Sequence, residues 1–200
     1  MKEKFVNALT NFVIKNKNVD DLKIKTIRYG LESLYLSFTK LFVVFLLALI
    51  TDCLIEFLLL LFFYQLIRKF SFGLHANTTL ACWMTTIPIY VGGSLIIKYI
   101  FLNYYIIFTI WILAFFSFLL WAPADTPKRP LIRKNQRKTQ KLKTCCICVF
   151  YLLLLLIFKN TSVINAITLS LFIQMIMVNP LVYKITNTRF NNYKIYPNKV

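Results

Sequence analysis

The chain has 200 residues, 58% of them apolar and 16% aromatic, with 24 Lys and Arg against 7 Asp and Glu and a net charge of +17. A soluble domain carries about 25% charged residues; here only 16% are charged and mean hydropathy is +0.65, which excludes an ordinary cytosolic globule. The abundance of Leu, Ile and Phe excludes disorder. Long uncharged runs between the basic clusters argue against a nucleic-acid-binding face, so no nucleic acid is expected as a partner. What remains is an all-α polytopic membrane protein, a single integral membrane domain over 1–200.

Residues 1–28 hold seven Lys or Arg and no uninterrupted apolar core, so no cleaved secretory leader is expected there. Phe5, Ala8, Leu9, Phe12 and Val13 fall at helical spacing beside Lys2, Lys4, Lys15 and Lys17. This predicts an N-terminal amphipathic helix that either lies on an anionic lipid membrane or packs on the protein's own cytoplasmic side. Asp20 and Asp21 are good caps for a second helix through Ile24, Ile27 and Leu31 that feeds into the membrane. Residues 1–33 are thus expected to be cytoplasmic and interfacial helices.

Apolar segments follow over 34–51, 53–67, 81–97, 104–121, 145–158 and 162–183. A single helix over 34–67 would be about 50 Å long at 1.5 Å per residue, against a hydrocarbon core of about 30 Å. Two spans with a tight turn near Asp52 fit better, although neither Gly nor Pro marks that turn. Spans 1 and 2 are then placed over 34–67, spans 3 and 4 over 81–121 and spans 5 and 6 over 145–183. The fifth is short and calls for a tilt or a thinned bilayer.

Charge supports six transmembrane helices with both termini cytoplasmic. Inner segments would hold the seven basic residues of 1–28, Arg68 and Lys69, eight residues of the loop 122–144 and four in the tail 184–200. Only Lys98 and Lys159 would lie outside, with Lys40 within the first span. A five-span chain would place the eight-charge loop (Lys128, Arg129, Arg133, Lys134, Arg137, Lys138, Lys141, Lys143) outside, against the positive-inside rule.

The single histidine, His75, lies seven residues before Cys82 in the segment 68–80 and the residues just after it. The run is Arg68-Lys69-Phe70-Ser71-Phe72-Gly73-Leu74-His75-Ala76-Asn77-Thr78-Thr79-Leu80-Ala81-Cys82. A cysteine nucleophile needs a base to form its thiolate and dry surroundings to limit hydrolysis, and His is the usual base. An interfacial His beside an inert Cys is the other reading of the pair. On one continuous helix the two Cα atoms would stand about 10.5 Å apart, too far for contact. Catalysis therefore requires the backbone between them to leave the helix; Asn77-Thr78-Thr79 is the polar place for this, and Gly73 permits a positive φ just before.

Other residues have plainer readings. Cys145, Cys146 and Cys148 include a C-x-x-C spacing without a second ligand pair, so packing in a reducing cytoplasm is expected, with no metal and no cofactor. Cys53 stands alone. Pro88 predicts a kink, and Gly92-Gly93 a close helix contact.

With Arg, Gly, His and Cys at offsets −7, −2, 0 and +7 from the histidine, the run resembles the signature of the accessory gene regulator B (AgrB) family, Gram-positive membrane cysteine endopeptidases of quorum sensing. Trp121-Ala122-Pro123-Ala124-Asp125-Thr126-Pro127-Lys128-Arg129-Pro130 is similar to the family's Ala-Pro motif with its basic cluster, and Tyr29-Gly30-Leu31-Glu32 is a looser match. The resemblance implies Cys82 as nucleophile and His75 as base, with Arg68 and Gly73 supporting the site. It implies as partner a quorum-sensing peptide precursor (AgrD-like), cleaved through an acyl-thioester and cyclised to a thiolactone or lactone, and it suggests a homodimer. It gives the loop 122–144, otherwise an orientation determinant, a part in attracting the precursor's acidic C-terminal portion, with Lys128 and Arg129 the first choices. No third catalytic residue is evident: Asp52 is expected at the opposite membrane face, Glu56 one turn further in, and Ser71 and Asn77 are candidates to orient His75. Span pattern and charge alone suit a non-enzymatic peptide exporter or membrane scaffold equally well, although no G-x-x-x-x-G-K-[ST] run supports an ATP-driven pump.

Overall fold

The structure, a computed structural model, describes residues 2–14, 21–74, 78–126, 131 and 135–195. Among these the elements are helical: α1 Lys2–Ile14, α2 Asp21–Ile50, α3 Leu54–Ser71, α4 Thr79–Ile87, α5 Gly93–Tyr99, α6 Tyr104–Trp121, α7 Gln136–Ile157, α8 Thr161–Val178 and α9 Pro180–Ile185. A π-helical turn over Pro88–Gly92 joins α4 to α5, and a 3-10 turn over Asn192–Ile195 follows α9. The chain clusters into two compact units, Met1–Leu47 and Ala48–Val200.

In the first unit Val6 and Thr10 are the buried positions of α1, and Phe5 packs its ring on Tyr35 at 5.4 Å. The buried face is thus turned one position from the predicted stripe, and Phe12 stays 73% exposed. Arg28 and Glu32 pair one turn apart on α2 at 3.7 Å.

Among the described residues five helical stretches are long and apolar enough to cross a membrane: Gly30–Ile50, Thr79–Tyr99, Tyr104–Trp121, Gln136–Ile157 and Thr161–Val178. The 18-residue α3, which carries Glu56 in its first turn and Arg68 and Lys69 in its last, is not among them. Before it, the turn expected near Asp52 is present without glycine. Asp52 itself takes a left-handed φ of 51°, and the Cys53 amide donates to the Ala48 carbonyl at 2.9 Å; Asp and Asn adopt this region more readily than other side chains.

Two helix boundaries differ from the hydropathy pattern. α7 begins at Gln136, so Arg137, Lys138, Lys141 and Lys143 stand on its first turns and not in a loop. Lys, Arg and Gln are strong helix formers, and 22 residues reach about 33 Å, long enough to span without thinning. The last apolar run is divided: α8 ends at Val178, the Asn179 side chain caps α9 through the Leu181 amide at 2.9 Å, and Pro180 occupies the first helical position.

Within the second unit α8 is the axis of packing, lying against α3, α5, α6 and α7. Its buried positions include Asn165, Ala166, Thr168, Ser170 and Gln174, small or polar residues that let helices approach closely. Hydrogen bonds tie the layers together. Asn165 Nδ2 donates to the Ile100 carbonyl at 2.6 Å, the Tyr151 hydroxyl to the Phe63 carbonyl at 2.6 Å, and Trp111 Nε1 to the Cys148 carbonyl at 2.8 Å. At one end Lys98 Nζ lies 2.9 Å from Asp52 Oδ2, and this hydrogen bond and charge hold the Asp52 carboxyl below its ordinary range. The opposite end gathers the last turn of α3, the residues after α6 and the end of α8.

Of the two adjacent glycines only Gly93 is a contact: a Cβ there would lie 2.6 Å from Leu60 Cδ2 and 3.2 Å from Leu169 Cδ2, while Gly92 has nothing within 4 Å. Gly93→Val should therefore destabilise the protein by about 1–3 kcal/mol through overpacking, whereas Gly92→Ala should leave the thermal midpoint in detergent unchanged or slightly raised.

Candidate active site

The run Arg68–Cys82 is not one helix. α3 stops at Ser71, Phe72 takes φ 61° and Gly73 φ 115°, and α4 starts only at Thr79, capped by the Thr78 side chain, which accepts from the Ala81 amide. Cys82 sits one turn into α4, half-buried, its amide donating to the Thr78 carbonyl at 3.1 Å and its carbonyl accepting from the Thr85 and Thr86 hydroxyls. His75, Asn77, Lys128 and Arg129 lie outside the described residues.

The segment leading to His75 is described, and most of its backbone groups have partners. The Ser71 carbonyl accepts from the Ala124 amide at 3.0 Å, and the Gly73 amide donates to the Ala124 carbonyl at 2.9 Å. These bonds form a short parallel bridge between Phe72 and Ala124 of the Ala-Pro motif. The Leu74 amide donates to the Met177 carbonyl at 2.9 Å, and the Leu74 carbonyl accepts from Arg68 Nη2 at 2.9 Å. Arg68 reaches back over the Tyr64 ring, 5.4 Å from its centroid, and also bonds the Tyr64 hydroxyl. Non-helical backbone at membrane depth persists only where such partners satisfy it.

Gly73 is required on two counts. Its φ lies where L side chains are strained, and a Cβ would sit 3.1 Å from the Met177 carbonyl oxygen and 3.3 Å from Gln174 Nε2. The Ser71 hydroxyl donates to the Ile67 carbonyl at 2.8 Å and accepts from Gln174 Nε2 at 2.6 Å. Asp52 is engaged by Lys98, on α5 at the far end of the unit, and Glu56 lies in the first turn of α3, away from Arg68 in its last.

Three further residues, of which only Asp125 falls within the Ala-Pro run, complete the surroundings. Gln174 of α8, fully buried, donates Nε2 to the Phe72 carbonyl at 2.7 Å as well as to Ser71. Its Oε1 is buried without a partner, a cost of about 1–3 kcal/mol that marks the donor end as the one the fold needs. Tyr183 donates its hydroxyl to the Ala124 carbonyl at 3.0 Å; burial and the Asp125 charge push this phenol up, so it remains protonated. Asp125, fully buried, accepts from the amides of Asn192 at 2.9 Å and Tyr193 at 2.8 Å, fastening the tail to the Ala-Pro motif. A lone amide or acid within an apolar stretch is the signal that could have pointed to Gln174 and Asp125.

The basic residues are dispersed in their use. Arg137 stacks on Tyr193 at 4.3 Å and bonds Asn191, while Lys69 and Lys143 both stand about 5.5 Å from the Phe70 ring. Cys145, Cys146 and Cys148 occupy α7, and no group of three metal-ligating side chains occurs among the described residues.

The model of the family described as "Accessory gene regulator B" matches residues 6–178. The chain belongs to that family. An AgrB-like protein of Listeria monocytogenes serotype 4a (strain HCC23) is 30% identical over 170 residues, 85% of this chain and 83% of the relative. An AgrB-like protein of Clostridium acetobutylicum is 24% identical over 191 residues, 96% and 91% of the two chains. The accessory gene regulator protein B of Staphylococcus epidermidis is 27% identical over 146 residues, 73% and 75%. No solved structure matches the chain. Membership places this AgrB-family protein among accessory gene regulators of quorum sensing, and the matched region takes in the whole Arg68–Cys82 segment and the Ala-Pro motif.

Gly73→Ala should cost about 1–3 kcal/mol of local stability through backbone strain. Hydrogen exchange in detergent should show it as lost protection of the Gly73, Leu74 and Ala124 amides, with the α7 amides unaffected.

Proposed function

We propose that the protein is a membrane cysteine endopeptidase that cleaves a quorum-sensing peptide precursor and promotes its cyclisation. The observation that carries this reading is the interruption of the helix between Ser71 and Thr79, inside the segment that holds His75 and Cys82. A base and a nucleophile seven residues apart can meet only if the chain unwinds between them; the described backbone leaves the helix on both sides of His75, at residues 72–74, where partners hold it, and at Thr78, which is extended.

Cys82 is the nucleophile and His75 its base, with Arg68 and Gly73 shaping the approach. The Cys82 thiolate attacks the scissile carbonyl, and the His75 imidazolium gives its proton to the leaving amine. An acyl-thioester on Cys82 remains. A thiol or hydroxyl within the acyl part of the bound precursor then attacks it; neutral His75 takes that proton, and Cys82 departs as thiolate. The thioester keeps the acyl group activated, so a thiolactone forms by near-isoenergetic exchange, and proximity of the internal nucleophile favours the ring over hydrolysis.

In this reading α3 is a sixth span and both termini are cytoplasmic. Its ends are charged, but it runs beside α5, α7 and α8, from the turn at Asp52 to the bridge at Ala124. The site then lies at the inner face with Lys128 and Arg129, which draw the precursor's acidic portion by charge. The exposed Phe5 and Phe12 of α1 suit a helix resting on an anionic leaflet, where the precursor would also collect.

Purified protein in liposomes should cleave a synthetic precursor without ATP or another protein. Cys82→Ala and His75→Ala should each reduce cleavage by roughly 10³-fold or more at unchanged abundance; wild-type cleavage by either variant would contradict the assignment. Raising salt from about 0.1 M to 1 M shortens the screening length from about 10 Å to 3 Å, so KM for an acidic precursor should rise several-fold while kcat holds, and Lys128→Gln with Arg129→Gln should remove most of that salt dependence.

A further inference from the structure

We propose that Gln174 is a positioning residue for the catalytic pair, acting through the backbone that leads into His75. The inference rests on His75 and Cys82 being that pair. Three successive peptide planes leave α3, and each is held by a different group. The 74–75 plane is held at the Leu74 carbonyl by Arg68, and the 73–74 plane at the Leu74 amide by the Met177 carbonyl. The 72–73 plane is held at both edges, its Gly73 amide on the Ala124 carbonyl at 2.9 Å and its Phe72 carbonyl by Gln174 Nε2 at 2.7 Å. This is the plane flanked by the two positive φ values, 61° and 115°, where a rotation would redirect everything after it.

Gln174 suits this work and little else. It is fully buried, it stands in the apolar run Leu171-Phe172-Ile173-Gln174-Met175-Ile176, and its side-chain amide lies against Gly73, 3.3 Å from where a Cβ would be. A leucine there would fill the space but leave the Phe72 carbonyl buried without that donor. The plane would relieve this by turning, carrying Leu74 and His75 with it, while the helices around it stayed packed. Methionine would have nearly the same length and volume and no donor at all.

The test uses the full-length protein in detergent, with Gln174→Leu and Gln174→Met made alone and with His75→Ala. Two rates are read: precursor cleavage, and alkylation of Cys82 by iodoacetamide, followed on the Cys82 peptide by mass spectrometry. Both Gln174 variants should lower kcat by about 10²-fold, as a misplaced base does, with KM within about twofold. They should slow Cys82 alkylation to the level of His75→Ala and add nothing further in the His75→Ala background. Wild-type rates, or an equal loss with and without His75, would overturn the inference by making Gln174 neutral or merely structural. Should Gln174→Leu fail to fold, Gln174→Met gives the same reading. If His75→Ala itself leaves both rates at wild-type level, the catalytic pair is wrong and the inference falls with it; if His75→Ala slows both and neither Gln174 variant does, the inference alone is wrong.

Discussion

Leu74 has its amide on the Met177 carbonyl and its carbonyl on the Arg68 guanidinium, and the arrangement of the surrounding helices follows from keeping that residue in place. A chain that leaves its helix inside a membrane protein exposes donors and acceptors that lipid cannot satisfy. Here the partners come from three elements distant in sequence: the preceding turns of α3, the Ala-Pro motif after α6, and the end of α8. Each contributes at least two hydrogen bonds, and together they pair the carbonyls of Ser71, Phe72 and Leu74 and the amides of Phe72, Gly73 and Leu74. The segment is thus held in place without being helical, which is what the proposed presentation of His75 to Cys82 would require.

The same end of the second unit carries the tail. Asp125 receives the Asn192 and Tyr193 amides while Tyr183 bonds Ala124 from the side, so the Ala-Pro motif is a hub between the segment before His75 and the residues after α8. The other end is closed more simply, by the Asp52–Lys98 pair and by Asn165 on the last carbonyls of α5. Between the two, α8 supplies small and polar side chains that let α3 and α5 approach.

Much of this was legible in the residues. Apolar run lengths set against bilayer thickness separate α2 from α3, and the turn lies at Asp52 because aspartate can adopt the left-handed backbone a glycine would otherwise supply. Arg68, Gly73 and Cys82 stand out because their spacing matches a family motif, and helix geometry requires a break between His75 and Cys82 if the two are to meet. The start of α7 was hidden because hydropathy reads Arg137 to Lys143 as loop, whereas helix propensity favours them. The division of α8 from α9 was marked by Asn179-Pro180, a cap and an N1 proline, but masked by the apolar residues on either side. Gln174 and Asp125 could not be placed from the sequence, since their partners lie 102 and 67 residues away and no periodicity links them.

The central claim is covalent: the precursor's acyl group passes through the sulfur of Cys82. Rapid quenching of the protein with a precursor whose internal thiol or hydroxyl has been removed should trap the intermediate, and intact-mass and peptide analysis should locate it. A single hydroxylamine-labile adduct on Cys82, with the mass of the precursor's portion N-terminal to the scissile bond, is the expected result. Cleavage of that precursor with no adduct at any time point, or with the adduct on Cys145, Cys146 or Cys148, would contradict it.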